Sequence, residues 1–251
     1  MTSPLKGGKL GILVGGGPAP GINGVIASVT IDATTKHDME VIGFEGGFRH
    51  LVEGSSKHNR KLTVDDVAPY YMRGGSILGT SRTNPAKKEE DMQRVLKVFA
   101  DMGITCLVTI GGDDTAYSCS QVAKRVGPGS GHTPMFRVCH VPKTIDNDLP
   151  LPEGTPTFGF ETARHLGVMT TRALHADAKT TGRWYIIISM GRAAGHLALG
   201  IGKASASTIT IIPEEFRKVP VTLEAVCDLI IGSILKRKVQ KRDYGVAVLA
   251  E

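Results

Sequence analysis

The stretch Ile104-Thr105-Cys106-Leu107-Val108-Thr109-Ile110-Gly111-Gly112-Asp113-Asp114-Thr115 decides the fold. Its first seven residues form a run of apolar and β-favouring side chains, the signature of a strand buried on both faces. Two glycines and two carboxylates close it, and residues 116–125 are helix-compatible. A doubly covered strand leading into a helix belongs to an open α/β sheet, where ligands gather outside the carboxyl ends of the strands. Glycines there let the backbone approach a phosphate without Cβ clashes, and a carboxylate beside them can hold the magnesium that a polyphosphate carries. Read alone, Gly-Gly-Asp-Asp is more simply an ordinary strand-to-helix turn whose aspartate caps the helix. The decision therefore rests on what the remainder of the chain places beside it.

Working outward, the same alternation recurs on both sides. Residues 91–102 carry helical apolar spacing through Met92, Val95, Leu96 and Phe99, and feed the central strand as part of a right-handed βαβ unit. Near the start, residues 9–14 form a short strand. The loop Gly15-Gly16-Gly17-Pro18-Ala19-Pro20-Gly21 is too rich in glycine and proline for helix interior, and residues 22–30 recover helical spacing. A helix N-terminus after a glycine loop presents unpaired N–H groups and positive potential, which suits a phosphate. A plain βα turn explains that loop equally well, since it matches neither the dinucleotide nor the Walker spacing. Residues 40–44 form a second strand, and Gly74-Gly75-Ser76-Ile77-Leu78-Gly79-Thr80-Ser81-Arg82 is a flexible loop that delivers one arginine.

Downstream, a surface turn at residues 127–132 precedes a strand over 135–141. Pro142-Lys143-Thr144-Ile145-Asp146-Asn147-Asp148 follows, placing two acids and a lysine at another strand end, with an Asx-turn loop as the bland alternative. The proline-rich residues 149–156 exclude helix and central strand and mark a domain boundary, dividing the chain into 1–150 and 151–251. Helices over 160–178, 194–203 and 222–238 then alternate with strands over 183–190, 208–212 and 244–250. A final parallel strand with no helix after it should expose one face.

Composition narrows the function. Aromatic residues make up 5% of the 251, a poor supply of stacking surface for single-stranded nucleic acid. The net charge of +6 is scattered, and its one dense run, Lys236-Arg237-Lys238-Val239-Gln240-Lys241-Arg242, reads as a solvated helix end that complements the helix dipole. Cys106, Cys119, Cys139 and Cys227 lie too far apart for a zinc or disulfide pattern and read as small buried hydrophobes in a reducing compartment. The apolar stretch after Lys6 and Lys9 is only Leu10 to Val14 and runs into glycines, which is too short for a signal peptide or a bilayer span. A cytoplasmic protein without membrane or nucleic-acid partners is expected. His165 and His196 read as structural or solvated, with no nucleophile paired to them.

Four strand ends thus carry Gly16-Gly17, Arg82, Asp113-Asp114, and Lys143-Thr144 with Asp146 and Asp148. Glycines for approach, cations for charge, one acid for metal and another as base make up the parts needed for phosphoryl transfer to a hydroxyl. At this point the chain resembles the phosphofructokinase family. The resemblance is carried by Gly-Gly-Gly-Pro-Ala-Pro-Gly-Ile-Asn at 15–23, Leu-Gly-Thr-Ser-Arg at 78–82, Ile-Gly-Gly-Asp-Asp-Thr at 110–115, Pro-Lys-Thr-Ile-Asp-Asn-Asp at 142–148, Gly-Phe-Glu-Thr-Ala at 159–163 and Met-Gly-Arg at 190–192, in the family's order.

The resemblance implies two doubly wound, mainly parallel α/β sheets with the active site in the cleft between them. It implies that residues 1–150 hold the phosphoryl donor and Mg2+, and that residues 151–251 hold the sugar phosphate. Asp146 would be the base for the 1-hydroxyl of fructose 6-phosphate, supported by Asp148, with Thr144 near the transferring phosphoryl group. Arg82 would neutralise the donor, Gly16 and Gly17 would cradle it, and Asp113 would organise magnesium. Met190, Gly191, Arg192 and Glu214 resemble the sugar-phosphate side, and Arg183 resembles an arginine lent by a neighbouring subunit, implying a homo-oligomer, dimer or tetramer.

ATP-using members typically have glycine where Asp114 stands, whereas diphosphate-using members resemble this chain. A carboxylate there opposes a third phosphate by about 1–4 kcal/mol at an effective dielectric near 20. Lys143 supports the same choice, so inorganic diphosphate is the expected donor and the reaction is expected to be reversible. ATP dependence is the alternative, and a non-catalytic subunit or inactive fragment is the alternative of another class. Family members continue past the strand at 244–250 and supply further sugar-phosphate ligands there, so a C-terminally truncated second domain is expected. A kinase of NAD or diacylglycerol shares a Gly-Gly-Asp-Gly-Thr turn but leaves residues 142–148 and 190–192 unexplained.

Overall fold

The computed structural model describes residues 6–126, 136–152, 154–216 and 220–251. The turn expected at 127–132, together with Met135 and Glu153, lies outside them. The chain forms two compact units that divide after Thr144. The expected boundary stretch, residues 149–156, therefore falls inside the second unit.

In the first unit, β1 (Lys9–Val14), β2 (Glu40–Phe44), β3 (Asn59–Leu62), β4 (Ile104–Gly111) and β5 (Arg137–Thr144) lie in the order β3-β2-β1-β4-β5. Pairing is parallel throughout except between β2 and β3. Successive side chains of β1 enter opposite layers, as a pleated strand requires. Leu10, Ile12 and Val14 pack with Ile22, Ile26 and Ala27 of α1 (Ile22–His37). Leu13 joins Ile42, Phe44 and Leu107 against Met92, Val95 and Phe99 of α3 (Glu89–Asp101) and Val122 of α4 (Asp113–Val126). Between β2 and α3, β3 is followed by the single turn α2 (Val64–Val67), which Thr63 and Asp66 close with a capping box.

Four local readings change. Helix α1 runs seven residues past its expected end, with Ala33 buried, Lys36 and His37 in its last turn, and Asp38 in a left-handed cap at φ 52°. Helix α4 starts at Asp113, so both carboxylates sit in its first turn, where the helix dipole favours them. Strand β5 continues through Pro142, Lys143 and Thr144, with Pro142 opposite Gly111, so these residues are strand end and not loop. The edge strand β3 has no apolar pattern to reveal it, since its sequence is Asn-Arg-Lys-Leu with Leu62 alone buried.

The second unit contains β6 (Phe158–Gly159), α5 (Phe160–Thr181), β7 (Trp184–Ser189), α6 (His196–Ser205), β8 (Ile209–Ile211), α7 (Leu223–Val239) and β9 (Gly245–Ala250). Its parallel sheet has the order β7-β9-β8. Phe160 and Ala178 of α5 and Leu197, Ala198 and Ile201 of α6 cover Val246 and Val248. The last strand is thus central, with Val246, Ala247 and Val248 at 0% exposure, and the expected bare face falls on β7 instead, where Ile186 and Ile188 are 58% and 70% exposed. Leu223, Leu229, Ile231, Leu235 and Val239 of α7 are exposed as well.

Cys106 and Cys119 are buried as expected, but Cys139 and Cys227 are exposed, and all four are free thiols. At the end of α7 the basic run is partly engaged: Arg237 donates Nε–H to the Tyr244 carbonyl at 2.7 Å and lies 4.8 Å over its ring. No helix among the described residues is long and apolar enough to cross a membrane.

Phe99 packs between Phe44 and Phe136, with ring centroids 5.5 and 6.0 Å away. Phe99→Ala should destabilise the first unit by about 3–5 kcal/mol, read as a lowered urea midpoint.

Candidate functional site

The first glycine turn is held by the end of β4 and by the loop that delivers Arg82. Gly15 donates its N–H to Ile110 O at 2.8 Å, and Gly16 donates to Ser81 O at 2.9 Å. Thr80 Oγ1 donates to Gly16 O at 2.7 Å. That loop is fixed in turn by Asn23, which is 2% exposed. Asn23 Nδ2 donates to the carbonyls of Arg73 and Gly74 at 3.1 Å each, and its Oδ1 accepts the Ile77 N–H at 2.8 Å.

Two cations flank the turn. A Cβ built on Gly17 would lie 4.0 Å from Arg82 Nη2, and one on Gly16 would lie 3.8 Å from both Lys143 Nζ and the Gly112 amide nitrogen. Lys143, 3% exposed, donates to Gly17 O. The first unit therefore brings Gly16, Gly17, Arg82, Lys143 and the Gly112 backbone together, with the exposed Asp113 and Asp114 one and two residues beyond Gly112. Thr144 ends β5 directly after Lys143.

The two glycine turns meet through a side chain to which the sequence analysis assigns no role. A Cβ on Gly15 would come within 2.3 Å of Thr115 Oγ1, and one on Gly111 within 2.4 Å of the same atom. Thr115, buried in the first turn of α4, is thus wedged between them and needs both positions to be glycine. One rung below, Thr109 Oγ1 lies 2.8 Å from His140 Nδ1 across the β4–β5 pair. Burial pushes the His140 imidazole below its ordinary value, against a smaller opposing hydrogen bond with the Gly111 backbone.

In the second unit, Asp146 and the exposed Asp148 flank Asn147, whose φ of 55° is a left-handed conformation that asparagine tolerates. Asn147 Oδ1 accepts from Thr157 N–H at 2.8 Å and Thr157 Oγ1 at 3.3 Å, which pins the turn carrying the two acids. After β7, Met190 is exposed, Gly191 sits at φ 154° with its missing Cβ 2.5 Å from Ala194 O, and Arg192 sits at φ 54°. Glu214 Oε1 accepts the Gly195 N–H at 2.9 Å, placing that carboxylate at the start of α6. Arg183 precedes β7, so the six-residue strand separates it from Met190-Gly191-Arg192 by roughly 20 Å. Asn23, Thr115 and Asn147 stand within the glycine-rich and acidic stretches, but Asn23 is bonded to residues 50 to 54 positions away, Thr115 packs against Gly15 100 positions away, and Asn147 is bonded 10 positions away, none of which leaves a local signal.

Among the described residues, no three His, Cys, Asp or Glu side chains are grouped to hold a metal ion. Magnesium needs no such group, since it is usually bound through one or two carboxylates plus substrate phosphates.

These features define a doubly wound α/β protein whose strand carboxyl ends gather glycine turns, cations and acids. Residues 9–251 match the family model described as Phosphofructokinase, and the chain belongs to that family. It is 58% identical over 243 residues, 97% of its length, to the pyrophosphate-fructose 6-phosphate 1-phosphotransferase of Thermotoga maritima, of which it covers 56%. It is 50% identical over 258 aligned residues, 100% of its length, to the protein of the same name from Naegleria fowleri, of which it covers 57%. Among solved structures, phosphofructokinase from Saccharomyces cerevisiae aligns with a TM-score of 0.78 at 25% identity, over 97% of this chain and 34% of that one. The chain thus spans a little over half the length of the curated relatives it matches.

Gly15→Ala should lower thermal stability, and Thr115→Ala in the same chain should restore most of it, because the nearest remaining atom, the residue 115 Cβ, is 3.2 Å away. Gly111→Ala should not be rescued in this way, since the Thr115 Cβ itself lies 2.5 Å from the new methyl.

Proposed function

We propose that this chain carries the chemistry of a diphosphate-dependent phosphotransferase that phosphorylates fructose 6-phosphate at its 1-hydroxyl, reversibly. The observation that carries the reading is the exposed Asp113-Asp114 pair in the first turn of α4, next to a glycine turn flanked by Arg82 and Lys143. Its two most similar relatives described above are named for the same donor and acceptor.

In this reading the first unit binds the donor. The Cβ-free backbone of Gly16 and Gly17 lets the phosphate oxygens come close, and Arg82 and Lys143 offset their charge. Asp113 would hold magnesium, which supplies charge neutralisation on the diphosphate. Asp114 opposes a third phosphate by about 1–4 kcal/mol at an effective dielectric near 20, which favours diphosphate over ATP. Asp146 takes the proton of the 1-hydroxyl as its oxygen bonds to phosphorus, and the bridging P–O bond breaks to release orthophosphate. Asp148 supports Asp146, and Thr144 hydrogen-bonds beside the transferring group.

The second unit binds the sugar phosphate through Met190, Gly191, Arg192 and Glu214. Arg183 lies at the opposite end of β7 from those residues, which supports its being lent to a neighbouring subunit of a homo-oligomer.

The test is formation of fructose 1,6-bisphosphate from fructose 6-phosphate and magnesium, with diphosphate in one cuvette and ATP in another. Turnover with diphosphate alone supports the reading, ATP alone overturns the role of Asp114, and silence with both favours a chain that does not turn over by itself. Asp146→Ala should lower the rate by roughly 10²–10⁴-fold with diphosphate affinity unchanged, and retained activity would remove the base assignment. Asp114→Gly should admit ATP at least weakly; no gain in ATP use, even with Lys143 also replaced, would place donor selection elsewhere.

A further inference from the structure

From Tyr71 to Lys88 the chain forms no strand or α-helix, only the short 3-10 turn Pro85–Lys87, yet this segment must hold Arg82 in place. Its first half is held by Asn23, Thr80 and Ser81, all of which lie before the arginine. Beyond Arg82, the next side chain with a tertiary hydrogen bond is Asn84. Its Oδ1 accepts the Ala86 N–H at 2.9 Å, capping the 3-10 turn, and also accepts Ser118 Oγ–H at 3.0 Å. Ser118 belongs to α4, is 1% exposed, and shares its single hydroxyl proton in a three-centre bond between Asn84 Oδ1 and Asp114 O, the latter 2.9 Å away.

We propose that Asn84 and Ser118 form a latch that fixes Arg82 relative to the Asp113-Asp114 turn, making both of them positioning residues for the diphosphate donor. The proposal rests on the donor reading above. A serine bonding the carbonyl four residues back is common inside helices, and an asparagine ahead of a proline turn is a common cap. Neither habit requires the two to meet, and their bond joins segments 34 residues apart. It links the backbone two residues after Arg82 to the carbonyl of Asp114, so the cation and the acids that face the donor share one buried hydroxyl. Arginine is a long, exposed side chain here, and its hold on a phosphate depends on where its backbone starts, since a misplacement of about 1 Å can cost about 10²-fold.

The experiment is calorimetric titration of the chain with diphosphate and magnesium, comparing wild type with Ser118→Ala and Asn84→Ala, each also in an Arg82→Ala background where Lys143 and the glycine turn keep binding measurable. Thermal melting checks that each variant is folded. Both single variants should weaken diphosphate binding about tenfold, and should add less than twofold once Arg82 is gone, because the latch acts through it. Full affinity in folded Ser118→Ala or Asn84→Ala overturns the latch, as does a tenfold loss that persists without Arg82, which would mark a merely structural role. If one variant does not fold, the other decides by the same criteria. A wild-type chain that binds no diphosphate overturns the donor reading itself, and the latch with it.

Discussion

Strands β1 and β4 are covered on both faces, so the first unit has its open chemistry at their carboxyl ends. Leu10, Ile12 and Val14 face α1 while Leu13 faces α3, which leaves the edge of the sheet as the place where backbone amides can meet a ligand. The pairing runs one residue past the end of β1, through the Gly15 N–H bond to Ile110 O, and Thr115 is wedged between Gly15 and Gly111. Two turns from distant parts of the chain thereby become one surface. A larger residue at either glycine would push them apart, so the close approach is a packing requirement before it is a chemical one.

Around that surface, precision comes from buried polar side chains, because the segment carrying Arg82 lacks regular structure. Asn23 satisfies three backbone groups of residues 73–77 at once, and its burial makes each of those bonds costly to leave unmade. Lys143 is held to Gly17 O from β5. The backbone leading to Arg82 and the Lys143 side chain are thus fixed by hydrogen bonds from several sides. The pinned Asn147 does the corresponding work for the acids that open the second unit.

The second unit is built differently. One face of its three-stranded sheet is covered by α5 and α6, while Ile186 and Ile188 of β7 and several apolar residues of α7 remain exposed. Its tight Gly191–Ala194 turn and the Glu214 carboxylate bound to the Gly195 N–H nonetheless define local geometry with close contacts.

Alternation of strands and helices, the parallel α/β class and the strand ends where chemistry could lie are legible in the order of the residues alone. A strand buried on both faces reads as an apolar run, and two backbones as close as those at Gly15 and Gly111 are to the Thr115 side chain leave no room for a Cβ. Both residues flanking the first glycine turn were legible as well, since Lys143 follows a recognisable strand and Arg82 closes a glycine loop, although no strand precedes Arg82 in the structure. Tertiary structure alone decided that β3 pairs antiparallel at an edge, that β9 inserts between β7 and β8, and that Pro142 to Thr144 extend β5. It also decided that Asn23, Thr115 and Ser118 are the residues that hold the turns together. Periodicity reports the environment of a residue's own face, whereas a hydrogen bond across 34 or 54 residues depends on which strands pair and how closely their ends approach.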